Sequence, residues 1–275
     1  MSANFNHEIQ VLINGSSMSG SGFNRKEIEN ITGKNVASYI YEGVSVHDRY
    51  EMISHFFNMY PDGIETVIYE INPVLLSGMK TSENTYTHFY PFMDDKTISD
   101  YIKRNSPHAR DYLIHKYLRT TRFESRSFVD VISGYLNFSG NIKTNTLDTT
   151  LLRSLVSERG QVYIEIKDAD RKVFEETMYK IREHKSNVIL VMMPIYYLKL
   201  QTYNSESYND LCRYFNDFSL GAEGVSFIDL NQDSLIFNPR YFSDLLHFNV
   251  YGQQQITQLI SKYLMCNFKG SLGSI

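Results

Sequence analysis

Apolar and polar positions along the chain follow two periods in turn, and that alternation predicts the fold. Short apolar runs read as buried strands at Ile9–Ile13, Val36–Tyr41, Thr66–Ile71, Val188–Met193 and Val225–Asp229. The first four are closed by turn-forming residues: the Gly/Ser stretch from Gly15, Gly43, Asn72-Pro73, and Pro194. Between them the period lengthens. Ser45-Val46-His47-Asp48 predicts a helix start with a serine cap and an acid three residues on, and the helix runs to about Met59 before Tyr60-Pro61-Asp62-Gly63 breaks it. Arg171–His184 places Phe174, Met178 and Ile181 on one face. Tyr208–Phe218 is helical, and Val250–Leu264 spaces Ile256, Leu259, Ile260 and Tyr263 for one face.

The middle of the chain, residues 80–160, departs from this rhythm. Ile98–Leu118 and Ser127–Leu136 have helical periodicity, and Leu147–Ser157 is a candidate further helix. No low-complexity linker flanks the region, so it reads as a helical insertion within one domain spanning residues 1–275. Val162, Ile164 and Ile166 alternate as in a short strand.

Strand–helix alternation predicts the α/β class: a mostly parallel sheet of about five strands, with helices on both faces. Right-handed crossovers put all strand C-terminal ends on one edge, where open α/β sheets bind their ligands. Ser17, Gly43, Asn72 and the segment after the last strand all fall at such ends.

Composition narrows the function. The chain is 42% hydrophobic and 21% charged, as expected of a globular protein of 275 residues. A net charge of −4 argues against a nucleic-acid partner. Residues 103–126 nevertheless carry seven Lys/Arg (Lys103, Arg104, Arg110, Lys116, Arg119, Arg122, Arg126) against Asp111 and Glu124. A solvated helix face is the simpler account. The alternative is a basic rim in which Arg119 and Arg122 attract an anionic substrate. Cys212 and Cys266 sit in apolar helical patterns and read as small core residues, not as a disulfide framework. No Cys/His cluster has zinc spacing, and neither metal nor organic cofactor is expected. Met1–Gln10 lacks a signal-peptide core, and Val188–Leu198 is too short and Pro-interrupted to span a bilayer. The expectation is a soluble, cytoplasmic protein, or an extracytoplasmic one if a longer chain carries an anchor. The oligomeric state is open.

Three residues could supply nucleophilic chemistry. A serine hydroxyl needs a base within hydrogen-bond reach, and histidine serves because its unperturbed pKa is about 6.5. A carboxylate on the other ring nitrogen fixes the tautomer and stabilises the imidazolium. Ser17 supplies the hydroxyl, and Asp244 and His247, three apart before the last helix, supply carboxylate and base. The Ser17 and Gly43 backbone N–H groups and the Asn72 amide are candidate oxyanion donors. Taken alone, each is a common turn, cap or surface residue; convergence at equivalent strand ends carries the reading. The Gly/Ser stretch lacks the Gly-Lys-Ser/Thr of a phosphate loop and the spacing of a dinucleotide fingerprint, and no Gly-x-Ser-x-Gly elbow is present.

The order of these elements resembles the SGNH/GDSL-type serine hydrolases. Gly15-Ser16-Ser17 stands where that superfamily has Gly-Asp-Ser, Gly43 matches its second block, Asn72 its third, and Asp244-x-x-His247, followed by Asn249 and Gly252, its last. The resemblance covers about 8–75 and 186–265. It departs at Ser16, and the third block lacks Gly-x-Asn-Asp. Gly-Ser-Ser looks more like the branch with D-alanine-transfer and alginate-acetylation proteins. The resemblance implies a three-layer, flavodoxin-like fold and a serine-dependent hydrolase of O-acyl esters, acetyl esters of a carbohydrate in particular. The alternatives are an O-acyltransferase acting on a polysaccharide or glycan precursor, and a non-catalytic binding or scaffold protein that retains the fold.

Overall fold

A computed structural model describes residues 9–79, 82–123, 143–149 and 161–268. Its centre is a five-stranded, wholly parallel sheet: β1 (Val11–Gly15), β2 (Val36–Ile40), β3 (Thr66–Ile71), β4 (Asn187–Met192) and β5 (Val225–Asp229), in the order β2-β1-β3-β4-β5. The inner strands β1 and β3 are buried along their whole length, and β4 in all but Asn187, as two-faced cover demands. The edge strands β2 and β5 are more exposed. Register aligns Asn14 with Tyr39 and Tyr69, and Met192 with both Ile71 and Asp229, so the strands end on one edge.

Nine α-helices are described: α1 (Ser17–Gly22), α2 (Arg25–Thr32), α3 (Val46–Met59), α4 (Lys96–Asn105), α5 (Ala109–Tyr117), α6 (Asp168–Glu183), α7 (Tyr197–Leu200), α8 (Ser205–Gly221) and α9 (Val250–Phe268). In one layer α3 packs on α6, and Phe174 of α6 meets Tyr214, Phe215 and Phe218 of α8 edge-on. The other layer joins α9 to α1 and α2. The expected start of α3 is realised in full: Ser45 Oγ accepts from the Asp48 N–H and the Asp48 carboxylate accepts from the Ser45 N–H, a reciprocal capping box. Among the described residues no helix is long and apolar enough to cross a membrane.

Several expectations need correction. The first strand lies two residues later than its apolar run, because Asn14 and Gly15 stay buried in the ladder. The Gly/Ser stretch is the helix α1, and α2 was hidden because only Ile28 of its eight residues is buried. The single helix expected over Ile98–Leu118 divides into α4 and α5 around Ser106-Pro107, where proline disfavours helical backbone at the preceding residue. Val162, Ile164 and Ile166 form no strand of the sheet: Val162 makes one isolated bridge to Tyr203, and the Ile164 N–H is taken by Ser207 Oγ. Cys212 is half-buried beside Asp229, but Cys266 is exposed and not a core residue. Ser127–Leu136 lies outside the described residues, as does most of Leu147–Ser157; residues 143–149 have no regular structure. The described start of the insertion packs on α3 through Tyr101–Asp48, His55–Asp95 and Arg104–Glu51.

Candidate active site

The first strand leaves the sheet at Gly15, and the backbone there runs so close to its neighbours that a Cβ would lie 2.0 Å from Ser19 Oγ and 2.6 Å from Glu70 Oε2. Glycine is required by that approach. Ser16 then caps α1, its hydroxyl accepting from the Met18 N–H at 3.3 Å. Ser17 opens the helix, half-buried.

The last helix is entered through a tight loop. Phe242 and Phe248 bridge antiparallel, and between them the Ser243 N–H donates to the His247 carbonyl at 2.9 Å. Asp244 Oδ1 accepts from the N–H groups of Leu246 and His247, each at 2.9 Å. This turn brings the His247 ring back over its own acid: Nδ1 stands 3.0 Å from both Asp244 oxygens. The ring's other nitrogen, Nε2, stands 2.9 Å from Ser17 Oγ. Hydroxyl, imidazole and carboxylate, 230 residues apart in the chain at their first link, thus form one hydrogen-bonded line. Burial raises the Asp244 pKa, but the bonds from His247 and from the Leu246 and His247 N–H groups outweigh it and hold the carboxyl well below its usual range. Asp244 is therefore ionised at neutral pH.

The loop is fastened on every side. The Phe248 N–H donates to Ser21 Oγ of α1 at 3.3 Å, which ties the helix bearing Ser17 to the loop bearing His247. Asn249 caps α9, its oxygen accepting from Tyr251 and Gly252 while its amide spans the carbonyls of Arg240, Phe242 and Asn145. From the crossover between β3 and β4, Asn145 donates to the Ser243 carbonyl and Lys143 Nζ lies 3.5 Å from Asp244 Oδ2.

The other site residues are distributed as follows. Gly43 has φ +71°, the left-handed region that suits glycine, in the turn after β2. Asn72 follows β3; its oxygen accepts from the Val74 N–H at 3.1 Å, and its amide donates to Glu70 Oε1 at 3.3 Å. Arg122 is 4% exposed and turned inward, donating to the carbonyls of His115 and Lys116 and pairing with Asp94 at 3.2 Å. Its guanidinium is thus engaged inside this region and is not presented to solvent. Arg119 is exposed and reaches the same Asp94 at 3.4 Å. Among the described residues no three His, Cys, Asp or Glu side chains gather as a metal site would need.

Two residues escaped the sequence reading. Glu70, wholly buried in β3, receives six donors: Ser16 Oγ (2.6 Å), Arg49 Nη2 (2.9 Å) and Asn72 Nδ2 on Oε1, and Ser16 N (2.7 Å), Ser19 N (3.0 Å) and Ser19 Oγ (2.6 Å) on Oε2. Arg49, equally buried on α3, also donates to the Glu70 carbonyl and lies over the Tyr69 ring. Burial alone would raise the Glu70 pKa, yet the Arg49 charge and the serine donors hold it below its ordinary value. Ser16 and Ser19 are therefore not loose loop residues. The available signal was a carboxylate inside the apolar run Thr66–Ile71, two residues before Asn72.

No family model matches the chain, and no curated protein matches it. Among solved structures it is similar to a candidate SGNH hydrolase from Slackia heliotrinireducens (8% identity, 94% of this chain and 100% of that one, TM-score 0.46). It is likewise similar to a lipase/acylhydrolase from Enterococcus faecalis (12%, 94% and 97%, 0.45). A third is the C-terminal catalytic domain of peptidoglycan O-acetyltransferase A from Streptococcus pneumoniae (11%, 94% and 93%, 0.41).

Proposed function

We propose that this chain is a serine-dependent enzyme of the SGNH/GDSL type that acts on O-acyl esters through an acyl-enzyme. The observation that carries the reading is the line Ser17 Oγ–His247 Nε2 at 2.9 Å and His247 Nδ1–Asp244 at 3.0 Å. Ser17 Oγ attacks the ester carbonyl carbon as its proton passes to His247 Nε2. The tetrahedral oxyanion is held by N–H donors at the strand ends, with Ser17 N–H, Gly43 N–H and the Asn72 amide as the candidates. The intermediate collapses, the carbon–oxygen bond to the alcohol breaks, and His247 returns the proton to the leaving oxygen. A second hydroxyl, activated by His247 in the same way, then takes the acyl group from Ser17. Asp244, ionised throughout, holds the ring tautomer with Nε2 free to accept.

Water as the acceptor makes the enzyme an esterase, and acetylated carbohydrate is the substrate class that the sequence resemblance suggests. Transfer to a glycan hydroxyl is favoured by a separate observation: residues 143–149 lie against the acid–base loop through Lys143 and Asn145. The insertion therefore borders the site, where it can dock an acceptor. A scaffold without catalysis gives no reason for three groups in this alignment. Labelling with a fluorophosphonate is the test. The expected result is one adduct, on Ser17, absent in Ser17→Ala; a folded wild-type protein that takes no label overturns the reading. Release of acid from 4-nitrophenyl acetate with and without glycan acceptors then separates hydrolysis from transfer.

A further inference from the structure

The buried Glu70–Arg49 pair has no place in the proton path from Ser17 to Asp244. It needs another explanation, because stability is a poor one: burying two charges costs several kcal/mol each, and well-packed apolar residues often serve as well or better. Its bonds suggest what that explanation is. One carboxylate oxygen takes the two N–H groups on either side of Ser17 and Met18, those of Ser16 and Ser19, together with the Ser19 hydroxyl. The other takes the Ser16 hydroxyl and the amide of Asn72. A carboxylate accepts about four hydrogen bonds comfortably. With six donors within reach, this one is saturated and has little freedom to move.

We infer that Glu70 is a positioning residue: its carboxylate is the template that sets the turn carrying Ser17 and the Asn72 amide at a fixed distance from each other, and Arg49 holds that template in place. This rests on the reading of Ser17 as nucleophile. Charge supports the division of labour. A lone carboxylate behind the oxyanion donors would oppose the negative charge that develops in the transition state. Arg49, at 2.9 Å and equally buried, cancels it, so the donors can be aligned without that field. Arg49 also clasps the Glu70 carbonyl, which fixes the strand end as well as the side chain. Glycine at position 15 completes the arrangement, since the carboxylate occupies the space where a Cβ would stand.

The test uses full-length protein, 4-nitrophenyl acetate as substrate and fluorophosphonate titration to count working sites. Glu70→Gln keeps the shape but points an N–H₂ group at donors on one side. Ser19→Ala is milder, removing one hydroxyl and leaving the backbone N–H. The expected result is a fall in kcat per titrated site of at least tenfold for Glu70→Gln and about threefold for Ser19→Ala, with KM within twofold of wild type. A purely structural role would lower the number of titratable sites and the melting temperature but leave turnover per site unchanged, and that outcome in either folded variant overturns the inference. If Glu70→Gln does not fold, Ser19→Ala alone decides it by the same criterion. Failure of wild-type protein to label removes the Ser17 reading and this one with it; labelling of wild type with unchanged per-site turnover in the variants removes only this one.

Discussion

Asp244→Asn is expected to leave the fold intact and remove most of the activity. In the native loop Asp244 Oδ1 accepts from two backbone N–H groups at 2.9 Å, and only an oxygen can do so. An asparagine must therefore keep its amide oxygen there and place its N–H₂ where Oδ2 now stands, 3.0 Å from His247 Nδ1. The retained oxygen stays 3.0 Å from Nδ1, but the amide N–H at the same distance favours the ring state that accepts at Nδ1 and carries its proton on Nε2. That nitrogen, 2.9 Å from Ser17 Oγ, changes from acceptor to donor and can no longer take the serine proton. The wrong tautomer in a triad of this kind costs on the order of 10⁴ in kcat, or about 5.4 kcal/mol at 1.36 kcal/mol per tenfold. Asp244 is 42% exposed, so solvent can support the alternative ring state in part, and a loss of about 10³ is the lower bound set by that access. Steady-state turnover of 4-nitrophenyl acetate and a thermal melt measure the two sides. A folded variant that keeps more than a tenth of the wild-type kcat would refute the assignment of Asp244 as the group that sets the tautomer.

Further outcomes follow from other parts of the molecule. Glu51 lies 10% exposed beneath α4, and burial pushes its carboxyl up to about 7. Its contribution is thus complete below the unfolded value near 4.5 and is lost as pH rises through about 7, by up to about 3 kcal/mol; Glu51→Gln should flatten the decline in Tm between pH 5 and 8, and an unchanged decline would refute this. Gly15→Ala should destabilise by roughly 2 kcal/mol or more, measured by urea unfolding, because the added methyl has nowhere to go between Ser19 and Glu70. Arg122→Met should lower stability by about 1–3 kcal/mol through the abandoned carbonyls of His115 and Lys116 while leaving KM for an anionic ester unchanged. A raised KM would restore Arg122 to the substrate-binding role.

The sheet was legible because buried parallel strands are nearly continuous apolar runs, and Thr66–Ile71 and Val225–Asp229 match to the residue. The helix cap at Ser45 was legible because its chemistry is local. Ser17, Gly43, Asn72, Asp244 and His247 could be singled out because topology carries strand ends to one edge and because the Gly-Ser-Ser and Asp-x-x-His spacings resemble a known family. What stayed hidden depends on contacts distant in sequence. Residues Ser17–Gly22 are poor helix formers whose conformation is set by Glu70, and α2 buries one side chain, too few to show a period. Arg122 looked like one more surface cation, since nothing near it in sequence announces that it folds back on the end of the helix before it.

The crossover between β3 and β4 is long, so that pairing must close a loop of roughly 115 residues, against roughly 32 between β4 and β5; because closure entropy grows only logarithmically, the extra cost is about 1 kcal/mol. Thermodynamically the excursion is nearly free. Its consequence is kinetic. Ser17, Glu70 and Asn72 precede the long loop, while Asp244 and His247 follow it, so refolding must complete the longest closure in the sheet before Ser17 and His247 can meet. In a chain still being synthesised Ser17 has no His247 to pair with until residues beyond 247 have emerged and docked; on the function proposed above, the return of fluorophosphonate reactivity becomes a clock for the last step of folding.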